Sequence, residues 1–356
     1  MIKHFIYFFF ILVQEHVSAT FGSGLSYACV VDIGDQKISI SCVEDGISHS
    51  NTRVCLKYGG ADITMAFFWL LQKAAFPYKE CQSKNPQDAM LLMNLKENYC
   101  HIDMDVCGSQ EKSFVINRPE QSPVRYVLQV ADELLVAPLS LFNTELLKLT
   151  LGKTNSNKII QIQATPDVNQ DAEDCFDSEF LRETGRRVGS GNTGYLKDQI
   201  DNSMNINDSN TGDVNDDDIV VDDLEQKRNC VNDFQMPAGG QVIGLDNAIL
   251  QSIEHLHTDE LKRKMFSSIL LIGGSSKFPG LNKWLQNRIT LQMPLNYKTD
   301  QQDIVHSPKE IDAAQVSWRG AAVLSGLESA EELWIASDEY SKHGVRILRE
   351  KCPFVW

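Results

Sequence analysis

The stretch of this sequence best suited to holding a phosphate is Asp32-Ile33-Gly34-Asp35-Gln36. Before it, Ala28 to Val31 is a short apolar run, the pattern of a buried strand. After it, Ile38 and Ile40 alternate with Ser39 and Ser41, which predicts a second strand. Strand, tight glycine turn and strand can aim backbone N–H groups at an anion, and Gly34 has no Cβ to block close approach. Asp32 and Asp35 flank that turn, where carboxylates can hold a Mg²⁺ through its waters. An ordinary hairpin turn uses the same Asp and Gly residues, so the motif alone leaves both readings open.

Two glycine pairs offer similar chemistry. Gly59-Gly60-Ala61-Asp62 precedes the apolar stretch Ile63 to Ala75. Asp62 reads as the N-cap of a helix that lays Phe67, Leu70, Leu71 and Ala74 on one face. Glycines at a helix N-terminus let an anionic ligand approach, and a plain cap explains them equally well. Ser267 to Ile272 reads as a strand that runs straight into Gly273-Gly274-Ser275-Ser276, then Phe278-Pro279-Gly280 and an amphipathic helix from Leu281 to Ile289. Strand, Gly-Gly and helix is a second place for backbone to lie against a nucleotide. Lys96 and Glu97 sit on a predicted helix, Pro86 to Tyr99, where a solvated face is the simpler account.

The elements that must position these residues come from a chain of 356 residues with 42% apolar content, enough for one or two sizeable cores. The net charge of −15 argues against a generic nucleic-acid surface. Residues 165 to 225 carry 17 Asp and Glu against four Lys and Arg, a net of −13, which leaves −2 on everything else. Residues 151–239 therefore read as a largely disordered acidic insertion, a spacer or a lure for basic partners such as histone tails. Short ordered pieces are expected at Ile159 to Ile162 and Phe176 to Leu181. Nine scattered cysteines without a Cys-x-x-Cys pair point to buried free thiols in a reducing compartment. Arg125 to Val130 and Glu133 to Val136 look like a hairpin. Helices are expected at Asn247 to His255, at Thr258 to Met265 and from Ser317. Residues 1–13 fit two readings. Phe5 to Val13 is an apolar run ahead of a Val17-Ser18-Ala19 processing signature, or a buried strand preceding a helix from Gln14.

The order of these pieces resembles the actin family. Asp32-Ile33-Gly34-Asp35 is similar to its second phosphate loop, and Gly59-Gly60-Ala61-Asp62 to the turn and helix after the next hairpin. Lys96-Glu97 falls where actins touch the adenosine. Gly273-Gly274 with Phe278-Pro279-Gly280 resembles the glycine loop by the adenine, and Ser317 to Ala321, Glu332 to Ile335, Tyr340 and Gly344 resemble the C-terminal region. Val43-Glu44-Asp45-Gly46, Ala74 to Cys81, Phe354-Val355-Trp356 and the acidic insertion are similar to an actin-related branch found in chromatin remodellers. The resemblance implies an actin-like α/β fold with an incomplete first half: an atypical start at 1–13, actin-like regions at 14–150 and 240–356, and the insertion between them. The implied nucleotide-binding residues are Asp32, Ile33, Gly34, Asp35, Gln36, Gly59, Gly60, Asp62, Lys96, Glu97, Gly273, Gly274 and Phe278, for ATP with Mg²⁺ held by Asp32 and Asp35 through water.

Three departures from the family pattern bear on activity. Nothing before Gln14 resembles the first phosphate loop. Glu15 and Ser39 stand where actins place the Gln and His that orient the attacking water, and neither reproduces that chemistry. Gln36 replaces a glycine of the phosphate turn, and Ala314 replaces an adenine-side Lys. The expectation is a subunit without enzyme activity in a nuclear ATP-dependent remodeller. Its expected partners are actin, another actin-related protein, the motor subunit, and nucleosomes with their histones and DNA, and no membrane. Filament formation is not expected, and unpaired sheet edges predict poor solubility without partners. The rival readings are a nucleotide-hydrolysing enzyme of the actin superfamily and a secreted protein.

Overall fold

The computed structural model of the chain describes residues 9–106, 108–118, 122–147, 163–164, 243–298, 303–308 and 310–352. Strand β1 (Phe9–Phe10) and helix α1 (Glu15–Ser23) come first. β2 (Tyr27–Ile33) and β3 (Ile38–Glu44) then form the central hairpin, paired in register from Tyr27 with Glu44 to Ile33 with Ile38. Asp45 and Gly46 both take positive φ, 48° and 80°, which turns the chain from β3 into β4 (Ile47–Ser48). A two-residue turn of this hand matches strand twist, which is why the Asp-Gly pair marks a hairpin. β5 (Val54–Leu56), which follows the 3-10 turn Ser50–Thr52, pairs with the Ile38–Ile40 end of β3.

Helices α2 (Gly60–Lys73) and α3 (Pro86–Tyr99) follow. β6 (Gln110–Ile116) and β7 (Val124–Val130) make a separate two-stranded sheet. The segment expected to be the second arm of a hairpin, Glu133 to Val136, is instead helix α4 (Glu133–Leu139). It packs on α2 and buries Leu134 and Ala137, so tertiary contact overrides the strand-like local composition. β8 (Gln163–Ala164) pairs with β5; the pieces expected at Ile159 to Ile162 and Phe176 to Leu181, like most of the acidic stretch, lie outside the described residues. The remaining elements are α5 (Leu245–Glu254), α6 (Asp259–Ser267), β9 (Ile269–Ile272), α7 (Leu281–Gln292), β10 (Val305–His306), α8 (Val316–Ser325), β11 (Ile335–Ala336), α9 (Ser337–His343) and α10 (Arg346–Lys351).

The main sheet runs β10-β9-β2-β3-β5-β8, with β4 also on β3. β2 and β9 are parallel, Asp32 opposite Ile272, while β2, β3 and β5 are antiparallel. The sheet is covered on both faces, which accounts for the unbroken apolar run in β2. Cys29, Val31 and Ile33 face the larger core with α5 residues such as Ile249. Ala28 and Val30 face a second cluster with Val17, Ala19 and Val316 from α1 and α8. A small third cluster joins Phe10 to Ile335, Ile347 and Leu348 where β1 pairs with β11. Among the described residues no helix is long and apolar enough to cross a membrane.

Tyr58 ties residue 141 to residue 243, far apart in the sequence. Its buried hydroxyl donates to Ile243 O at 2.9 Å and lies 3.3 Å from Leu141 O, which accepts from Leu245 N–H at 2.9 Å. Tyr58→Phe removes one donor and leaves the Ile243 carbonyl short of a partner, so urea unfolding should show a loss of about 1–3 kcal/mol. An unchanged midpoint would mean that this junction is not stressed in the folded chain.

Candidate nucleotide site

Parallel strands place the loops at their carboxyl ends side by side, the usual location for ligands in α/β sheets. Here β2 runs out into Gly34 and β9 into Gly273 at neighbouring positions. Gly34 N–H donates to Lys37 O at 3.1 Å and closes the turn between β2 and β3. The N-terminus of α2 grips that turn from one side, Gly60 N–H donating to Gly34 O at 2.9 Å and Ala61 N–H to Asp35 O at 2.8 Å. In a trans peptide the N–H points opposite to the C=O, so the amides of Asp35 and Gln36 point away from α2. Two adjacent amides turned outward at a glycine turn suit a phosphate.

Packing at this junction excludes side chains. A Cβ on Gly59 would fall 2.5 Å from Asp35 O and 2.7 Å from Gly34 O, and one on Gly60 would fall 2.4 Å from Ser275 Oγ. Gly59, three residues earlier than expected, is the N-cap of α2. Asp62 is not the cap; its carboxylate reaches back to accept from Gly59 N–H at 2.9 Å. The helix starts early because its first amides find acceptors in the phosphate turn. Burial pushes the Asp62 carboxyl above its ordinary range.

Lys96 lies buried on α3 and donates from Nζ to Gly60 O at 2.9 Å. Burial lowers its pKa, and the charges of Asp35 and Glu97 oppose that shift. Asp35, Lys96 and Ser275 thus converge on Gly60, from three separate elements. Gly273 has φ 91°, and a Cβ there would sit 2.4 Å from Asp32 Oδ1 and 2.5 Å from Ile33 O. Gly274, next to it, faces open space. Two expected contact residues stand apart from this cluster. The Glu97 side chain is exposed on α3, and Phe278 is buried in the larger core, where its ring supports the loop. Gln36 is exposed and donates to its neighbour Asp35.

Three features had no local signal in the sequence. Ser275 reaches across to Gly60. Lys277 and Asp312, 35 residues apart, form an ion pair at 2.6 Å, and Ala313 O accepts from Gly273 N–H at 3.1 Å, so the segment before α8 straps the glycine loop. Finally, Glu15 at the start of α1 meets Asp32. The Asp32 carboxyl is raised to about 7, chiefly by burial, with the Glu15 charge and a hydrogen bond to Glu15 adding to it. No group of three or more His, Cys, Asp and Glu side chains among the described residues is placed to hold a bare metal ion. The buried Asp32 carboxyl at the end of β2, with the exposed Asp35 carboxylate across the turn, does fit a hydrated Mg²⁺, which would supply positive charge there.

His16, beside Glu15, is buried, and apart from the Ser39 backbone beside it neither ring nitrogen has a hydrogen-bond partner. Burial lowers it to about 4 from its ordinary 6.5. The two groups therefore oppose each other between about pH 4 and 7. Folded Asp32 keeps a proton that the unfolded chain releases near pH 3.8, so its contribution to stability falls as pH rises toward 7. Folded His16 stays neutral where the unfolded chain takes a proton, so its contribution rises from pH 4 to 6.5. Asp32→Asn, which removes the titrating carboxyl, should leave a stability that climbs with pH in this window, and His16→Leu one that declines. Urea midpoints at pH 5 and 7 test this; parallel profiles for the two variants would contradict it.

The actin family model matches residues 1–172 and 199–353 of the chain. Actin-related protein 8 of Aedes aegypti is 54% identical over 348 residues, 97% of this chain and 60% of the relative. The Drosophila melanogaster protein of the same name is 46% identical over 363 residues, and the Bos taurus one 38% identical over 371, each covered to 58% of its length. The chain thus spans less than two thirds of the curated relatives it matches. A solved structure of human actin-related protein Arp8 in its ATP-bound state superposes with a TM-score of 0.71 at 34% identity, over 98% of this chain and 55% of that one. With the phosphate turn, the gripping helix and the glycine loop in the order and positions described, the chain belongs to the actin family.

Proposed function

We propose that the chain serves as a non-catalytic actin-related subunit of a nuclear ATP-dependent chromatin remodeller, binding ATP as a structural ligand. The observation that carries the ATP reading is the convergence of the Gly34 turn, the α2 N-terminus and the Gly273 loop at one end of the sheet. The ATP-bound state of the similar human structure supports it. The triphosphate would lie on the Asp35 and Gln36 amides, with Asp32 and Asp35 holding a hydrated Mg²⁺. When bound, that cation screens the phosphate charge.

Turnover needs a group that orients water at the terminal phosphate. Glu15 is engaged with Asp32, and Ser39 is buried in β3 with a side chain too short to reach far from the sheet. Hydrolysis at a useful rate is therefore not expected of this chain, and the remodelling ATPase is the motor partner. Similarity to actin-related protein 8 supports an actin-related subunit; on this reading the chain assembles with actin, a second actin-related protein and that motor, and works on nucleosomes, histones and DNA in transcription, replication and repair. The concentrated negative charge of residues 165 to 225 is suited to basic partners.

Affinity purification of the C-terminally tagged chain from nuclear extract tests the assembly. Recovery of actin, another actin-related protein and a remodelling motor in stoichiometric amounts is expected. A tag that is absent from the nucleus, or that brings down none of the three, would overturn the proposal.

A further inference from the structure

The hairpin of β6 and β7 stands apart from the main sheet, and its two edges differ. Ala131 N–H, directly after β7, turns to the Glu133 carboxylate at 2.7 Å and not to β6. The ladder therefore ends on a hydrogen-bonded pair, Gln110 with Val130, and such pairs recur at Leu128, Tyr126 and Val124. The residues between them, Arg125, Val127 and Gln129, direct their N–H and C=O groups to the outer edge of β7. The other strand shows the matching geometry. Ser113 O, opposite Val127, points away from β7 and accepts from the Tyr99 hydroxyl of α3 at 3.0 Å, so α3 occupies the β6 edge. On the β7 edge the N–H and C=O groups of Arg125, Val127 and Gln129 have no partner among the described residues, and all three side chains are exposed.

Sheet edges are ordinarily blunted by proline, a bulge or a very short strand. β7 has none of these: it pairs without interruption over 7 residues and contains no proline. Its outward groups extend over about 13 Å, room for one short strand. The side chains beside the edge define what fits there. Val127, 50% exposed, and Val115, diagonal to it on β6, offer hydrocarbon on the outward face. Arg125 on the same face spends a donor on Ser113 Oγ at 2.9 Å and keeps the rest of its guanidinium for a partner. Glu111, the acid on this face, lies one strand further from the edge, opposite Gln129. A strand laid along β7 would meet positive charge at Arg125 and apolar surface two positions away. We propose that the β7 edge accepts an extended segment of a partner protein as a further antiparallel strand, with an acidic residue opposite Arg125 and a β-branched or aromatic residue opposite Val127. The inference goes beyond the remodeller reading and does not depend on it.

The test is fluorescence anisotropy on the full chain at 0.15 M salt. The probe is a labelled peptide of threonines with one glutamate and one valine two positions apart. The same peptide with lysine for glutamate should bind about fivefold more weakly. N-methylation of the glutamate and valine amides, which keeps the side chains but removes the ladder donors, should weaken it at least tenfold. Arg125→Glu should invert the preference for glutamate over lysine. Val127→Pro removes an outward donor without touching a bond to β6 and should weaken both peptides about tenfold. Thermal midpoints accompany both variants; the exposed Arg125→Glu should stay within about two degrees of wild type, so the inversion is read on a folded chain. No binding of the glutamate peptide, binding unaffected by N-methylation, or a preference that Arg125→Glu leaves unchanged would overturn the proposal. Sedimentation showing a dimer that Val127→Pro abolishes and the peptide does not dissociate would also overturn it, because the occupant would then be a second copy of this chain.

Discussion

Gly320→Ala should cost more than about 3 kcal/mol of stability, the largest effect expected of any single methyl group in this chain. Helices α1 and α8 cross with their backbones in contact. A Cβ on Gly320 would fall 1.5 Å from Ser18 O and 2.7 Å from Gly22 N, while one on Gly22 would fall 2.3 Å from Val316 O. These are backbone atoms, so no rotamer change relieves the clash and the helices must separate. Separation opens the cluster of Val17, Ala19, Val30, Val43, Leu270, Ile272 and Val316 that covers one face of β2 and β9. The cost is then overpacking plus lost burial. Gly24→Ala is the internal comparison: Gly24 has φ 68° but open space around it, so only the backbone penalty of about 1 kcal/mol applies. Urea denaturation of both variants checks the ranking, and equal losses would show that the helix crossing is looser than described.

The second large effect concerns ATP. Gly273→Ala should weaken ATP binding at least tenfold, and Gly274→Ala should leave it within about twofold. The two glycines are adjacent but differ in every relevant respect. Gly273 takes a φ of 91° that disfavours any side chain, and its Cβ would displace the Asp32 carboxylate and the Ile33 carbonyl at the root of the phosphate turn. Gly274 lacks a positive φ and meets nothing within 4 Å. Titration with a fluorescent ATP analogue at a temperature where both variants are folded separates binding from stability. Similar affinities for the two would place the nucleotide away from the Gly273 loop.

The central hairpin was legible because both of its signals are local. Apolar residues from Ala28 to Val31 mark a strand covered on both sides, and Gly34 with Asp35 marks the turn. The Gly273 loop was legible for the same reason. What the sequence hid depends on contacts between distant residues. Lys96 finds Gly60 O across 36 positions, and Lys277 finds Asp312 across 35. Asp62 looks like a cap because the residues that anchor α2 are carbonyls of a turn more than twenty positions earlier. Gln110–Ile116 opens with Gln-Glu-Lys-Ser and has no strand signal of its own; pairing with β7 and burial of Phe114 make it one. Glu133–Leu139 coils because α2 offers a groove for Leu134 and Ala137, which local composition does not record.

The same distinction applies to chemistry. Residue types at 15 and 39 predicted that water-orienting groups would be missing. The meeting of Glu15 with Asp32, next to the buried His16, emerges only when α1 packs beside the end of β2. That arrangement bears most on whether the site holds a nucleotide without consuming it.

The most direct test is to mix the purified chain with a stoichiometric amount of ATP and Mg²⁺, separate bound from free ligand after several hours, and identify the bound nucleotide by chromatography. The account predicts that the nucleotide recovered with the protein is ATP, with phosphate release no faster than in buffer. Failure to retain nucleotide at all, or recovery of ADP with release of phosphate, would contradict it.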